Sequence, residues 1–264
     1  MILIPPDLDR VIQDAWEKTR PVPGFLLENE ARFLGLLAAC TPAKGLIVEI
    51  GSFKGRSTVM LASVAAHYGL GPVVAIDPHN YNLSLPAGPA TPPSTRDDFV
   101  DSLRAAGVFE HVEFHHALSK DISTSWNRPI RLLWIDGDHS YAGAKADLDG
   151  FTSHLSPHGI VALHDALNVF PGPIRVFVED VLRSSRFGAA GFVHSLAWAQ
   201  FRPEDGQQFQ QKRTWLERRA SQLLPFVQAG TELRGVRKMF YKFNRSRIPR
   251  APLRPEEWTA LLEP

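Results

Sequence analysis

Over about 160 residues the chain alternates short apolar runs with stretches of helical spacing, and no other feature restricts its fold as much. "GLIVEIG" reads as a buried strand, and "GRSTVMLASVAAHYG" as the helix after it, closed by Gly69. "GPVVAIDP", "HVEFHHA", "RLLWID" and "GIVALHD" read as further strands, with "AAGFVHS" and "LAWAQFR" as a closing antiparallel pair. "RDDFVDSLRAAG", "SYAGAKADLDGFTSHL" and "IRVFVEDVLRSS" read as helices; in the second, Ala144, Leu148, Phe151 and Leu155 share one face. The pattern predicts an α/β chain built on a doubly wound, mostly parallel seven-stranded sheet with helices on both faces. "DLDRVIQDAWEK" and "ENEARFLGLLAAC" add a helical N-terminal cap, giving expected divisions at 1–44, 45–203 and 204–264. Ligands of such sheets sit outside the carboxyl ends of the strands, so chemistry is sought there.

Charge divides the chain differently. Residues 1–211 carry 17 Lys and Arg against 23 Asp and Glu, and residues 212–264 carry 12 against 5, so −6 and +7 make the net +1. The expectation is an acidic body with a basic C-terminal extension. In that extension Trp215, Leu223, Leu224 and Phe226 suggest a docked helix, while Arg234–Arg254 interleave cations with Met239, Phe240, Tyr241 and Phe243. It reads either as an anchor for an anionic surface or as a basic segment that is solvated or folded onto the body. No nucleic-acid-binding module is recognisable, and a homo-oligomer stays open. "PHNYNLSLPAGPATPPST", with five prolines, is a loop long enough to be a lid. Cys40 is the only cysteine, which excludes an intramolecular disulfide and fits a reducing compartment. "MILIPPDLDR" lacks the pattern of a secretory signal, and no apolar run approaches the roughly 20 residues of a membrane span. A cytoplasmic protein is expected.

Three strand ends carry unusual polar residues. In "VEIGSFKGRST", Gly51 and Gly55 permit a tight strand-to-helix turn with close backbone approach to a ligand. A nucleotide phosphate would use the same turn, and Asp77, 22 residues after Gly55, fits a ribose-binding acid. Glu49 tips the balance, because a carboxylate would repel a pyrophosphate yet suits a ligand carrying an ammonium and a sulfonium. "LLWIDGDHSYAGAKADL" then places Asp136, Asp138 and His139 where a core strand ends, and "VALHDAL" places His164 and Asp165 at the end of the next.

With these motifs in order, residues 25–202 resemble the class I S-adenosylmethionine-dependent methyltransferases, in particular metal-dependent O-methyltransferases of the catechol and macrolide-sugar types. The resemblance implies a Rossmann-like fold in which Glu49, Gly51, Phe53, Gly55 and Ser57 contact S-adenosylmethionine. It also implies that Asp77 holds the ribose and that Ser119, in "HALSKDI", lies beside the adenine. It implies further that Asp136, His164 and Asp165 hold a divalent metal and that His139 is the general base. His164 stands where the family more often has a carboxylate; Mg²⁺ prefers oxygen, so an imidazole there also admits Mn²⁺, Fe²⁺ or Zn²⁺. Otherwise His164 is a second base with no metal, or "DGDH" is a turn in which Asp138 caps the next helix. The implied activity is methyl transfer to a hydroxyl oxygen of a small molecule or sugar. Two alternatives stand beside it: an NAD-type oxidoreductase, and a non-catalytic binding module on the same fold.

Overall fold

The computed structural model describes residues 4–80, 94–227 and 233–263. Among them, seven strands form one sheet: β1 (Leu46–Ile50), β2 (Val73–Ile76), β3 (Val112–His115), β4 (Ile130–Ile135), β5 (Leu155–Leu163), β6 (Phe187–Val193) and β7 (Leu196–Phe201). Their order is β3-β2-β1-β4-β5-β7-β6, with β1 to β5 parallel and β7 running antiparallel between β5 and β6. The predicted doubly wound sheet and its closing antiparallel pair are therefore present. The proline-rich lid candidate falls largely on residues 81–93, outside the described residues.

Parallel strands need both faces covered, and the alternation of side chains divides each strand between two cores. Ile47, Val73, Ala75, Leu132 and Trp134 point into one core. Helices α1 (Leu8–Thr19), α2 (Glu28–Cys40), α3 (Arg56–Tyr68) and α4 (Arg96–Ala105) supply its other side. Val48, Ile50, Val74, Ile76, Leu133 and Ile135 point into the other core. The short α5 (Ser119–Ser123) adds Ile122 at its margin, and α6 (Tyr141–Thr152) and α7 (Pro171–Val176) cover it. Where one long helix was expected over residues 174–185, α7 passes at Phe177 into a wider π-helical turn ending at Leu182. Helix α8 (Gln210–Ala220) and α9 (Gly235–Ser246) join this second layer through Leu216, Ala220 and Tyr241. Helix α10 (Pro255–Leu261) crosses to the first layer, where Trp258 is fully buried.

Register brings the functional candidates into one row. Ile50 pairs with Ile76 on one side and Ile135 on the other, and Ile135 pairs with Leu163. The next residues continue the ladder: Gly51 N–H donates to Ile76 O, Asp136 N–H to Ile50 O, and His164 N–H to Ile135 O. Strand order reverses between β1 and β4, and the crevice at that reversal is the position where open α/β sheets bind ligands.

Candidate active site

At the first strand end, the backbone turns because glycine permits it. Gly51 (φ +85°) and Gly55 (φ +92°) lie in the left-handed region, and a Cβ on Gly51 would stand 2.2 Å from Asp136 O. Phe53 between them also has positive φ (47°) and stacks on Phe25 with ring centroids 6.1 Å apart. Glu49 shares the face of Ile47 and is fully buried. Its Oε1 accepts from Ser57 Oγ at 2.5 Å, and its Oε2 accepts from Ser52 Oγ at 3.0 Å and Thr58 Oγ1 at 2.5 Å. Burial, only partly offset by these hydroxyls, pushes its pKa up to about 7. Glu49 and Ser57, both expected to contact the ligand, are hydrogen-bonded to each other. As placed, the pair braces the first turn of α3 from beneath. A buried carboxyl under the turn still disfavours a phosphate above it.

Asp77 is nearly buried and folds back toward the same turn. Its Oδ2 accepts from Ser52 N–H and Phe53 N–H, both at 2.7 Å, and its Oδ1 accepts from His79 N–H at 2.5 Å. A carboxylate offers roughly four lone-pair positions, so about one stays available to a ligand hydroxyl. Ser119, expected beside an adenine, opens α5. Its hydroxyl donates to Asp147 and ties α5 to α6. Asp147 itself has its pKa raised to about 6 by burial, against the Ser119 hydrogen bond.

The second half of the site gathers at the ends of β4 and β5. Residues 132, 134 and 136 share a face, as do 160, 162 and 164, so Asp136 and His164 both project toward α2. His164 Nδ1 lies 3.1 Å from Asp136 Oδ1 and 3.7 Å from Asp165 Oδ1, while its Nε2 lies 3.3 Å from Glu30 Oε2. Glu30, from α2, is buried and also accepts from Ser195 N–H (3.0 Å), Ser195 Oγ (2.5 Å) and Leu27 N–H (3.1 Å). Burial opposes charge throughout this cluster, but mutual attraction outweighs it. Glu30 and Asp136 are each brought down to about 2, chiefly by His164, and His164 is raised well above the ordinary imidazole value by Asp136 and Glu30.

His139 completes the group. Its Nε2 turns inward, 3.4 Å from Asp136 Oδ1 and 3.7 Å from Asp165 Oδ2, and its ring stacks on Phe170 with centroids 4.5 Å apart. At 3.4 Å the nitrogen is held by charge more than by a directed hydrogen bond. Burial lowers its pKa, and the Asp136 contact with the Asp136 and Asp165 charges more than reverses this, so it lies above 6.5. Asp165 has φ +56°, in the left-handed region that Asp tolerates better than most residues, and its Oδ1 accepts from Asn168 Nδ2 at 2.5 Å. Gly172 N–H donates to His139 O at 2.9 Å, and a Cβ there would meet Ser140 O at 2.3 Å, so α7 clamps this turn.

The predicted metal ligands thus meet, but they meet one another. His164 Nδ1 faces Asp136 and Asp165 and its Nε2 faces Glu30, so each ring nitrogen has a carboxylate beside it. Asp136, His164 and Asp165, the residues expected to hold an ion, are paired with one another as placed. Among the described residues no group of three or more His, Cys, Asp or Glu is disposed to hold one. The helix-capping role considered for Asp138 belongs to Ser140, whose Oγ accepts from Gly143 N–H at 3.1 Å, while Asp138 accepts from Ser140 N–H and Oγ at 2.8 Å. Glu30 and Phe170 escaped the sequence reading. Glu30 lies 134 positions from His164, and its only local signal is an acid three residues after the start of a helix-capping segment.

Residues 48–166 match a family model described as a methyltransferase domain. The match takes in the strand ends β1, β2, β4 and β5, and this segment is similar to that family. Several solved structures share its fold. The O-methyltransferase from Bacillus cereus in complex with SAH is 21% identical, covering 76% of this chain and 93% of its own, with a TM-score of 0.51. The O-methyltransferase TomG from Streptomyces achromogenes, in complex with SAM, is 19% identical over 76% and 92%, with a TM-score of 0.52. The O-methyltransferase NovP is 13% identical over 74% and 98%, with a TM-score of 0.57. The methyltransferase domain contains the Gly51 turn, Asp77, His139 and the β4 and β5 strand ends, whereas Glu30 and α8 to α10 lie outside the matched segment.

Proposed function

We propose that this methyltransferase moves a methyl group from S-adenosylmethionine to a hydroxyl oxygen of a small molecule or sugar, with His139 as general base. The observation that carries the reading is the row of strand ends. The Gly51–Gly55 turn and Asp77 lie on one side of the β1/β4 crevice, and an imidazole held by two carboxylates lies on the other. The turn fits the donor: left-handed glycines bring backbone close, Asp77 keeps an acceptor position for a ribose hydroxyl, and buried Glu49 disfavours the pyrophosphate of a dinucleotide. O-methyltransferases of this fold, one in complex with SAH and one with SAM, support the choice. When bound, S-adenosylmethionine supplies an electrophilic methyl carbon on sulfonium.

The chain's own residues handle the proton. Asp136 and Asp165 face Nε2 of His139 and keep a proton there, so Nδ1 carries the lone pair. An acceptor hydroxyl hydrogen-bonded to Nδ1 gives up its proton as the oxygen–methyl bond forms and the sulfur–methyl bond breaks. The two carboxylates stabilise the resulting imidazolium, and Phe170 fixes the ring plane. Positioning and this proton acceptor are the protein's contributions. No step is assigned to a divalent ion.

Calorimetric titration with S-adenosylhomocysteine and with NAD, followed by donor consumption across a panel of vicinal diols, tests the reading. Binding of the first ligand and not the second, with turnover that persists in excess chelator, is expected. Binding of NAD alone would replace the reading with an oxidoreductase. Loss of turnover on chelation, restored by added metal, would return Asp136, His164 and Asp165 to the role of ligands.

A further inference from the structure

Helix α9 wears its amphipathic pattern inside out. One face is fixed to the body: Tyr241 is buried and its hydroxyl donates to Leu167 O at 2.6 Å, and Ile248 follows it into the same core. The opposite face carries Val236, Met239, Phe240 and Phe243, which are 63%, 61%, 50% and 57% exposed. Their spacing of three, one and three residues places them on one stripe about 100° wide, pointing away from Tyr241. Arg237 and Lys242 flank the stripe on its two sides, both exposed, and the Arg247 guanidinium lies 5.6 Å from the Phe243 ring. From Arg234 to Arg254 the chain has eight Lys and Arg and no Asp or Glu.

An apolar stripe and its cationic flanks call for a partner that answers both. A soluble phosphate or a nucleic acid would satisfy the cations and leave four large apolar side chains in water. A second copy of the helix would cover the stripe and bring Arg237 and Lys242 against their own kind, a like-charge contact that opposes association. An anionic bilayer accepts the apolar side chains at the acyl boundary and the cations among its headgroups. We propose that α9 docks in the surface of an anionic lipid bilayer, with Val236, Met239, Phe240 and Phe243 immersed and Arg237 and Lys242 at the headgroups. Leu167, which holds Tyr241, follows Asp165 by two residues, so docking at α9 sets the β5 end of the site close to the membrane. Among the described residues no helix is long and apolar enough to cross a membrane, so this is a contact with one leaflet.

The test is co-sedimentation of the full chain with vesicles, without substrate, so its result is independent of the methyl-transfer reading. The chain should bind phosphatidylcholine vesicles containing phosphatidylglycerol at least about tenfold more tightly than phosphatidylcholine alone, and less tightly as salt is added. Two exposed-site variants separate the components: Met239→Ser/Phe240→Ser/Phe243→Ser and Arg237→Glu/Lys242→Glu. Each should weaken binding about tenfold or more, with the circular dichroism spectrum and thermal midpoint of the parent chain. Failure of the full chain to sediment with anionic vesicles at low ionic strength would overturn the proposal. So would undiminished binding by the triple serine variant, which would leave charge alone, or a lipid-free dimer in sedimentation velocity that the same variant dissolves.

Discussion

His139 is useful as a base only while neutral, and its neighbours determine when that is. Asp136 and Asp165 favour the protonated ring, so its pKa lies above 6.5 and the rate should rise with pH through that raised value. His139→Ala should lower kcat by about 10²–10⁴ with S-adenosylhomocysteine affinity unchanged. Asp165→Asn removes one of the charges that raise the pKa, so the acidic limb should move to lower pH. An acidic limb that stays in place in both variants would give the role to another group. Glu30 acts on the same cluster through His164. Its pKa and that of Asp136 are lowered to about 2, so each contributes stability that is present above its ordinary carboxylate pKa and lost as pH falls toward 2. Glu30→Gln should cost about 3–5 kcal/mol near neutral pH, because a buried imidazolium loses its partner, and should flatten that acid arm in denaturant titrations.

Among the elements, the strand–turn–helix units carry the site, and their glycines differ in what they do. Gly51 and Gly69 both have positive φ, but a Cβ on Gly51 would strike Asp136 O while one on Gly69 meets nothing within 4 Å. Gly69→Ala should therefore cost only the backbone term, about 1 kcal/mol. Gly51→Ala must in addition part β1 from the β4 end, so it should cost at least about twice that and lower S-adenosylhomocysteine affinity. Equal destabilisation, measured by urea unfolding, would show that the turn does not depend on close approach. These elements were legible in sequence because each has a local cause: apolar strand runs, Gly51 and Gly55 at a turn, Asp77 and Asp136 one residue past a strand. Elements set by distant packing were not legible. The π-helical turn at Phe177–Leu182 follows no local signal, and the pairing of α2 with β5 through Glu30 and His164 depends on how the sheet and α2 pack. The hydroxyls of Ser52, Ser57 and Thr58 that close around Glu49 were likewise not legible, since only the folded turn brings all three to its carboxyl.

On the scale of the whole molecule, the change of charge near residue 212 does not mark the end of the packed structure. Leu216, Ala220 and Leu223 are buried in the layer that covers Val48 and Ile50, and α10 returns to the opposite layer. There Trp258 is fully buried, with its ring 5.9 Å from Phe33 and 4.8 Å from Trp198, and its indole N–H donates to Cys40 O at 3.2 Å. The C-terminal segment thus closes both sides of the sheet. The matched domain at residues 48–166 contains neither Phe33 nor Trp198. Trp258→Ala should then cost about 3–5 kcal/mol, a large part of the total stability of a typical domain, and Trp258→Phe much less. A chain ending at Leu224 loses Trp258 together with Tyr241 and Ile248 and leaves Phe33, Trp198 and Leu167 uncovered. It should unfold at markedly lower denaturant and lose activity with its fold. Met239→Ser/Phe240→Ser/Phe243→Ser, confined to the exposed stripe, should leave the unfolding midpoint where it was. If the shortened chain unfolds at the same urea concentration as the full one, the C-terminal helices are passengers on a domain that stands without them.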